Sequence, residues 1–310
     1  MKKLISILTP TFNEEDNVIE LYERIKSQTL KIKKYNFEHI FIDNHSQDST
    51  VNKIKNIIKK DKSVRLIVNA RNFGHLNSPF HGLMQINSNA AIQIASDLQT
   101  PPEVIKDLIF KWEKGFKTVL LVKSQSKESS ILFYFRSIYY KILSKISNVP
   151  PIINATGEGL YDQVVLNALR KINDPYPFFR GLLTEIGFPI AKVELRQERR
   201  KKGVSKNDFY SLYDAALLGI TNHSTFPLRL MVIFGFILSI ISLFLTFAFL
   251  IAKLINWDTF DLGIAPMLIG IFFFGAMQMF FLGLLGEYII AIHTRVRKMP
   301  LVVELERINF

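Results

Sequence analysis

Four polar clusters in the first third of the chain each follow an apolar run, and one of them has the composition of a cation site. The apolar stretch 91–95 leads into Ser96-Asp97-Leu98-Gln99-Thr100-Pro101-Pro102. A carboxylate at the end of a strand, with an amide two residues on, offers the oxygen ligands that Mg²⁺ or Mn²⁺ takes, and such an ion can hold a diphosphate. Asp97 and Gln99 are therefore the candidate metal ligands. The other clusters are Thr9-Pro10-Thr11-Phe12-Asn13-Glu14-Glu15, Asp43-Asn44-His45-Ser46-Gln47-Asp48-Ser49-Thr50 and Arg71-Asn72-Phe73-Gly74-His75. Each also has a structural reading: Asp16, Asp48 and Ser49 suit helix caps, and Pro101-Pro102 suits a helix start.

These clusters gain meaning from the elements that carry them. Residues 4–8, 37–42, 64–69, 91–95 and 118–122 read as apolar strands, and 16–26, 49–60, 76–86 and 102–112 as the helices between them. Continuous apolar strands alternating with helices imply an α/β domain with a mostly parallel sheet covered on both faces and joined by right-handed crossovers. In such sheets ligands bind beyond the carboxyl ends of the strands, where all four clusters fall. Neither a Gly-rich dinucleotide fingerprint nor a phosphate-binding P-loop is present, which argues against a dehydrogenase or a P-loop enzyme.

The 310 residues are 48% hydrophobic, lack cysteine and carry a net charge of +12. Without cysteine there is no disulfide framework and no thiolate metal site. The positive balance suits anionic lipid or a phosphorylated substrate better than nucleic acid, because the apolar residues concentrate after Pro227. Residues 230–252 form an uncharged run long enough, at 1.5 Å per residue, to cross a hydrocarbon core of roughly 30 Å, and 264–285 form a second. Arg229, Arg295, Arg297 and Lys298 flank the pair, whereas 253–263 carry one Lys and two Asp, so both termini are expected on the cytoplasmic side. Residues 207–223 have the spacing of an amphipathic helix, lying on the membrane surface or on the domain. The expected organisation is a cytosolic domain over 1–206, an interfacial helix over 207–228, a two-helix membrane hairpin over 229–292 and a cytosolic tail over 293–310.

Taken in order, Pro10-Thr11-Phe12-Asn13-Glu14-Glu15, Ile42-Asp43-Asn44, Arg71-Asn72-Phe73-Gly74-His75, Asp97-Leu98-Gln99-Thr100-Pro101-Pro102-Glu103, Phe179-Arg180-Gly181 and Arg200-Lys201-Lys202-Gly203-Val204-Ser205-Lys206 resemble glycosyltransferase family 2. The likeness is to its polyisoprenyl-phosphate glycosyltransferases, related to dolichol-phosphate mannose synthase, and covers nearly the whole chain. It implies a GT-A-type fold, a nucleotide-sugar donor, a polyprenyl (undecaprenyl) phosphate acceptor, a divalent metal, inversion at the sugar, a plasma-membrane location and a possible homo-tetramer. Position by position, it implies that Pro10, Phe12, Glu14, Asp43 and Arg71 form the nucleotide pocket. Asp97 matches the last acid of the metal motif, with Gln99 beside it. Arg200 and Lys206 match the basic loop over the donor diphosphate, and Lys123 and Arg136 the cations for the acceptor phosphate.

The chain departs from that pattern twice. Ala95 stands where the first acid of the metal motif is expected, and Gly157 where many members carry another functional acid, leaving Glu158 as a possible substitute. A phosphate monoester has a second pKa of about 6 and is largely dianionic at neutral pH, so it needs no general base. The loss at 157 is therefore less damaging for a lipid-phosphate acceptor than for a sugar hydroxyl. Direct polysaccharide synthesis and an inactive nucleotide-sugar-binding scaffold are the alternatives.

Overall fold

The computed structural model describes residues 2–123, 152, 155–172, 174, 177–195, 226–255, 264–296 and 299–310. Its centre is an eight-stranded sheet in the order β7-β5-β6-β4-β1-β2-β3-β8. The strands are β1 (Leu4–Thr11), β2 (Asn36–Asp43), β3 (Val64–Asn69), β4 (Ala90–Gln93), β5 (Thr118–Lys123), β6 (Ala155–Asp162), β7 (Ile190–Leu195) and β8 (Glu304–Ile308). β6 and β8 run antiparallel to their neighbours, and the remaining strands share one direction. The mostly parallel sheet is the one expected, and the five strands read from the sequence are β1 to β5.

The helices of the domain are α1 (Val18–Lys31), α2 (Thr50–Lys60), α3 (Gly74–Met84), α4 (Ile105–Glu113), α5 (Gln163–Ile172) and α6 (Phe179–Glu185). Strand side chains alternate between faces, so each strand feeds two cores. On one face Ile5 and Ile7 pack with Leu21 and Ile25 of α1 and with Leu108 and Trp112 of α4. On the same side Phe41, Leu66 and Val68 pack with Ile54 and Ile58 of α2. On the other, Leu8, Ile40, Ile42 and Ile67 meet Phe80 of α3, Val165 of α5 and Leu182 of α6. Because β4 pairs antiparallel with β6, the start of β6 lies at the carboxyl edge of the parallel strands, as do the ends of β5 and β7.

Two long helices follow, α7 (Phe226–Ile255) and α8 (Ile264–Val296). Among the described residues one stretch is long and apolar enough to cross a membrane, Phe273–Ile290 in α8, and none of it is buried. It includes Glu287, which lies beyond the run 264–285 read from the sequence. Apolar side chains of α7, such as Val232 and Phe244, are also exposed.

The tail expected over 293–310 does not stand apart from the domain. Its residues Glu304–Ile308 extend the sheet as β8, antiparallel to β3, with Glu304 opposite Asn69 and Ile308 opposite Leu66. The Asn309 side chain donates to the Lys62 and Val64 carbonyls at 2.8 and 2.7 Å. Glu304 pairs with His81 of α3 at 2.6 Å and with Arg307, both carboxyl and imidazole being mostly enclosed. Lys55–Glu306, at 2.7 Å, is far more exposed and adds little. Losing the enclosed pair costs about 1–2 kcal/mol. Glu304→Ala is therefore expected to lower the melting temperature of the solubilised chain by roughly 3–6 °C, and Lys55→Ala by less than half as much. Equal shifts in a thermal-unfolding comparison would refute this ranking.

Candidate active site at the carboxyl edge of the sheet

Backbone strain gathers at this edge. Among the described non-glycine residues four have positive φ, and three of them follow parallel strands: Asn13 (φ 54) after β1, His45 (φ 68) after β2 and Leu98 (φ 58) after β4. Such conformations persist where surrounding contacts over-determine them, and they concentrate at functional sites.

The first two loops are laced together. Ser46 Oγ donates to Asp43 Oδ1 at 2.5 Å and accepts the Asn13 N–H at 2.8 Å, while Asn13 Oδ1 accepts the Gln47 N–H. Glu14 N–H donates to Thr50 Oγ1, and Glu15 N–H to Asp48 Oδ2. Asp43 is 0% exposed, and its oxygens also accept from the Thr11 hydroxyl and the Ser46 N–H. Burial raises its pKa, against the hydrogen bonds from Ser46 and Thr11. Glu14 is likewise buried and accepts from the Asn17 amide at 2.6 Å. Of the expected nucleotide residues, Asp43 and Glu14 thus hold the loops, whereas Pro10 and Phe12 are half-buried beside them.

Asn44 was quoted in the sequence without a role and is a hub. Its Oδ1 accepts from Asn69 Nδ2 and the Phe73 N–H, and its Nδ2 donates to Asn72 Oδ1 and the Gly74 carbonyl. These bonds fix the β3–α3 loop against β2. On that loop Arg71 is exposed, lies 4.0 Å from the Phe73 ring centre and donates to the Asn72 carbonyl. A polar residue ending each of two apolar strands, Asn44 and Asn69, is the signal that could have found this hub.

The Asp97 loop is pinned at three points. Ala95 N–H donates to Glu158 Oε1 at 2.5 Å and the Thr100 hydroxyl donates to Oε2 at 2.6 Å, so one carboxylate grips both ends. Between them Leu98 is 1% exposed and packs into the core, while Asp97 and Gln99 on either side are half-buried. Asp97 Oδ1 accepts the Gln99 N–H at 3.1 Å. Adjacent residues on a strand face opposite sides, and Gly157 and Glu158 do so: a Cβ at Gly157 would face Arg180 of α6, whereas the Glu158 carboxylate faces the Asp97 loop. Gly157 has φ +83 and Gly159 φ +152, and a Cβ at Gly159 would lie 2.1 Å from the Val119 carbonyl oxygen. Gly159 thus lets β6 run close against β5.

Among the described residues no group of three or more His, Cys, Asp or Glu could enclose a metal. One carboxylate fits a Mg²⁺ or Mn²⁺ ion held chiefly by substrate phosphates and water, the mode Mg²⁺ prefers, and does not fit an all-protein cage. Arg136, Arg200, Lys206 and the Lys123 side chain lie outside the described residues, although Lys123 ends β5 and Leu195 ends β7 at this same edge. A separate cavity of about 460 Å³, bounded by Tyr22, Lys26, His39 and Asp61, holds none of these residues.

Comparison with known proteins identifies the family. The model of glycosyl transferase family 2 matches residues 6–184. The bactoprenol glucosyl transferase of Shigella phage SfX is 34% identical over 298 residues, 96% of this chain and 97% of that protein. A prophage bactoprenol glucosyl transferase homolog of Escherichia coli (strain K12) is 33% identical, covering 96% of each. Glucosyl-3-phosphoglycerate synthase from Mycobacterium tuberculosis, solved with Mn²⁺, uridine diphosphate and phosphoglyceric acid, superposes with a TM-score of 0.47 at 16% identity, over 71% of this chain and 76% of that one. With its family match across the strands that build the site, and relatives a third identical over nearly its whole length, this chain belongs to glycosyl transferase family 2.

Proposed function

We propose that the chain transfers a monosaccharide from a UDP- or GDP-sugar to a polyprenyl phosphate at the cytoplasmic face of the plasma membrane, giving a polyprenyl-phosphate sugar for cell-envelope glycosylation. The observation that carries this reading is the near full-length likeness to bactoprenol glucosyl transferases, joined to a strained, pinned Asp97 loop at the ligand-binding edge. The exposed apolar surface of α7 and α8 supports a membrane hairpin, the cations flanking it support cytoplasmic termini, and the homo-tetramer rests on the family resemblance alone.

In this reading Pro10, Phe12, Glu14, Asp43 and Arg71 surround the nucleoside. Asp97, with Gln99, holds Mg²⁺ or Mn²⁺ against the donor diphosphate, and the ion supplies charge stabilisation to the departing nucleotide. Arg200 and Lys206 close over the same diphosphate, and Lys123 and Arg136 receive the acceptor phosphate. Glu158 is a positioning residue, since both of its oxygens are engaged by the loop that presents Asp97. Ala95 and Gly157 favour a second reading, a scaffold that binds nucleotide-sugar without transferring it.

Membranes containing the chain, supplied with labelled nucleotide-sugars, undecaprenyl phosphate and a divalent metal, are expected to form a lipid-soluble labelled product. Absence of such a product with every common donor, while nucleotide-sugar binding persists, would establish the scaffold reading instead. Asp97→Asn should lower kcat at least about 100-fold. Glu158→Gln keeps one acceptor oxygen and should lower kcat about 10- to 100-fold through a displaced loop. Its pH–rate profile should keep its shape, whereas loss of the acidic limb in that variant would mean that Glu158 transfers a proton.

A further inference from the structure

The place where a catalytic acid is missing is bordered by a guanidinium. Among the described residues a Cβ built on Gly157 would meet one heavy atom within 4 Å, Arg180 Nε at 3.7 Å. Arg180 lies in the first turn of α6, half-buried, and donates from Nη2 to the Thr156 carbonyl at 3.1 Å. Its setting is rigid. Phe179 packs edge-on against Phe80 and Tyr161, and the Tyr161 hydroxyl donates to the Gly157 carbonyl at 2.6 Å. Among the described residues no carboxylate forms an ion pair with Arg180.

The same cation lies between two parts of the site. On one side is the β3–α3 loop, where the pKa of His75 is lowered by surrounding protein and by the Arg180 charge. On the other, Glu158, one residue beyond Gly157, grips the Asp97 loop at Ala95. An aspartate at 157 would set its carboxylate against the guanidinium and neutralise it. Among the described residues glycine leaves the guanidinium without an ion-pair partner, with most of its five N–H donors uncommitted to the Thr156 carbonyl.

We infer that Arg180 binds the phosphate of the acceptor and, with Gly157, selects an acceptor that is already anionic. This rests on the reading of the chain as a polyprenyl-phosphate glycosyltransferase. In the step itself an oxygen of the dianionic acceptor phosphate forms a bond to the anomeric carbon of the sugar. The bond from that carbon to the donor diphosphate breaks, and its electron pair leaves with the nucleoside diphosphate. No proton changes hands, so no acid at 157 is required, whereas a forked cation that neutralises the incoming dianion is.

The test uses the full chain in detergent with undecaprenyl phosphate and the donor identified by product formation. Arg180→Gln is expected to raise KM for the lipid phosphate by about 10- to 100-fold, as loss of a charge-assisted hydrogen bond does. KM for the nucleotide-sugar and the thermal shift it induces should stay within twofold of wild type. Arg180→Lys should restore part of the acceptor affinity, and it alone decides the matter if the Gln variant fails to fold. Unchanged acceptor KM in the folded Lys variant, or donor and acceptor KM rising together, overturns the assignment of Arg180 alone. Wild-type protein that binds nucleotide-sugar yet makes no lipid product overturns the parent reading, and the Arg180 assignment falls with it.

Discussion

The site depends on a buried carboxylate being fully occupied. Glu158, 9% exposed, would be costly to enclose without partners, by several kcal/mol. It has the Ala95 N–H at 2.5 Å and the Thr100 hydroxyl at 2.6 Å, which close the Asp97 loop like a clasp. Leu98 supplies the third anchor from within, in a left-handed conformation that its burial enforces. The outcome is a four-residue span in which the two half-exposed polar side chains, Asp97 and Gln99, have little freedom to wander. Preorganisation of this kind is what an electrostatic catalyst needs, because donors and acceptors that must reorganise during the reaction lose most of their advantage.

The same logic runs along the rest of the edge. Asp43 and Asn44, consecutive at the end of β2, face different neighbours: the carboxylate ties the β2 loop to β1 through Ser46, and the amide ties it to β3 through Phe73 and Asn72. Three loops that a nucleotide would touch are thereby one hydrogen-bonded body. Their strain at Asn13, His45 and Leu98, of order 1–3 kcal/mol each, is sustained by that lacing and by the two packed faces beneath it.

Much of this was legible before any coordinates. β1 to β5 announce themselves because buried parallel strands are nearly all apolar, as in Ile40-Phe41-Ile42 or Leu66-Ile67-Val68. The four clusters that follow β1 to β4 are where the topology rule places ligands, and the structure sets all four along one edge of the sheet. Glu158 was harder. Strict alternation sends it away from position 157, and what it meets on its own side, the Ala95 N–H and the Thr100 hydroxyl, depends on how the loop after β4 turns, which residue names do not dictate. β8 was illegible for a different reason. Glu304-Leu305-Glu306-Arg307-Ile308 is short and mostly exposed, and its partner strand lies more than 230 residues away, so neither hydrophobicity nor local spacing marks it. Arg180 stands in the sequence within the motif Phe179-Arg180-Gly181 but without a role, and its significance comes from a glycine that lies 23 residues earlier and adjacent in space.

β8 also constrains where the active edge can lie. It pairs antiparallel with β3, so its first residue, Glu304, sits opposite Asn69 at the carboxyl end of that strand, beside the loop carrying Arg71. The chain arriving from α8 therefore enters the sheet at the edge that holds the site. α8 ends at Val296 and β8 begins at Glu304, with seven residues between them, and the eight Cα steps at full extension span no more than about 28 Å. The other connection, between Leu195 and Phe226, has 30 residues and by itself would allow roughly 100 Å. The short tether sets the limit. If α8 spans the bilayer, the tether keeps the Asp97 edge within a few nanometres of the surface, near where an acceptor whose tail stays in lipid must offer its phosphate. A free-ended tail would leave that distance to the longer linker, so the enclosed Glu304–His81 pair bears on that distance, although neither residue touches the candidate site.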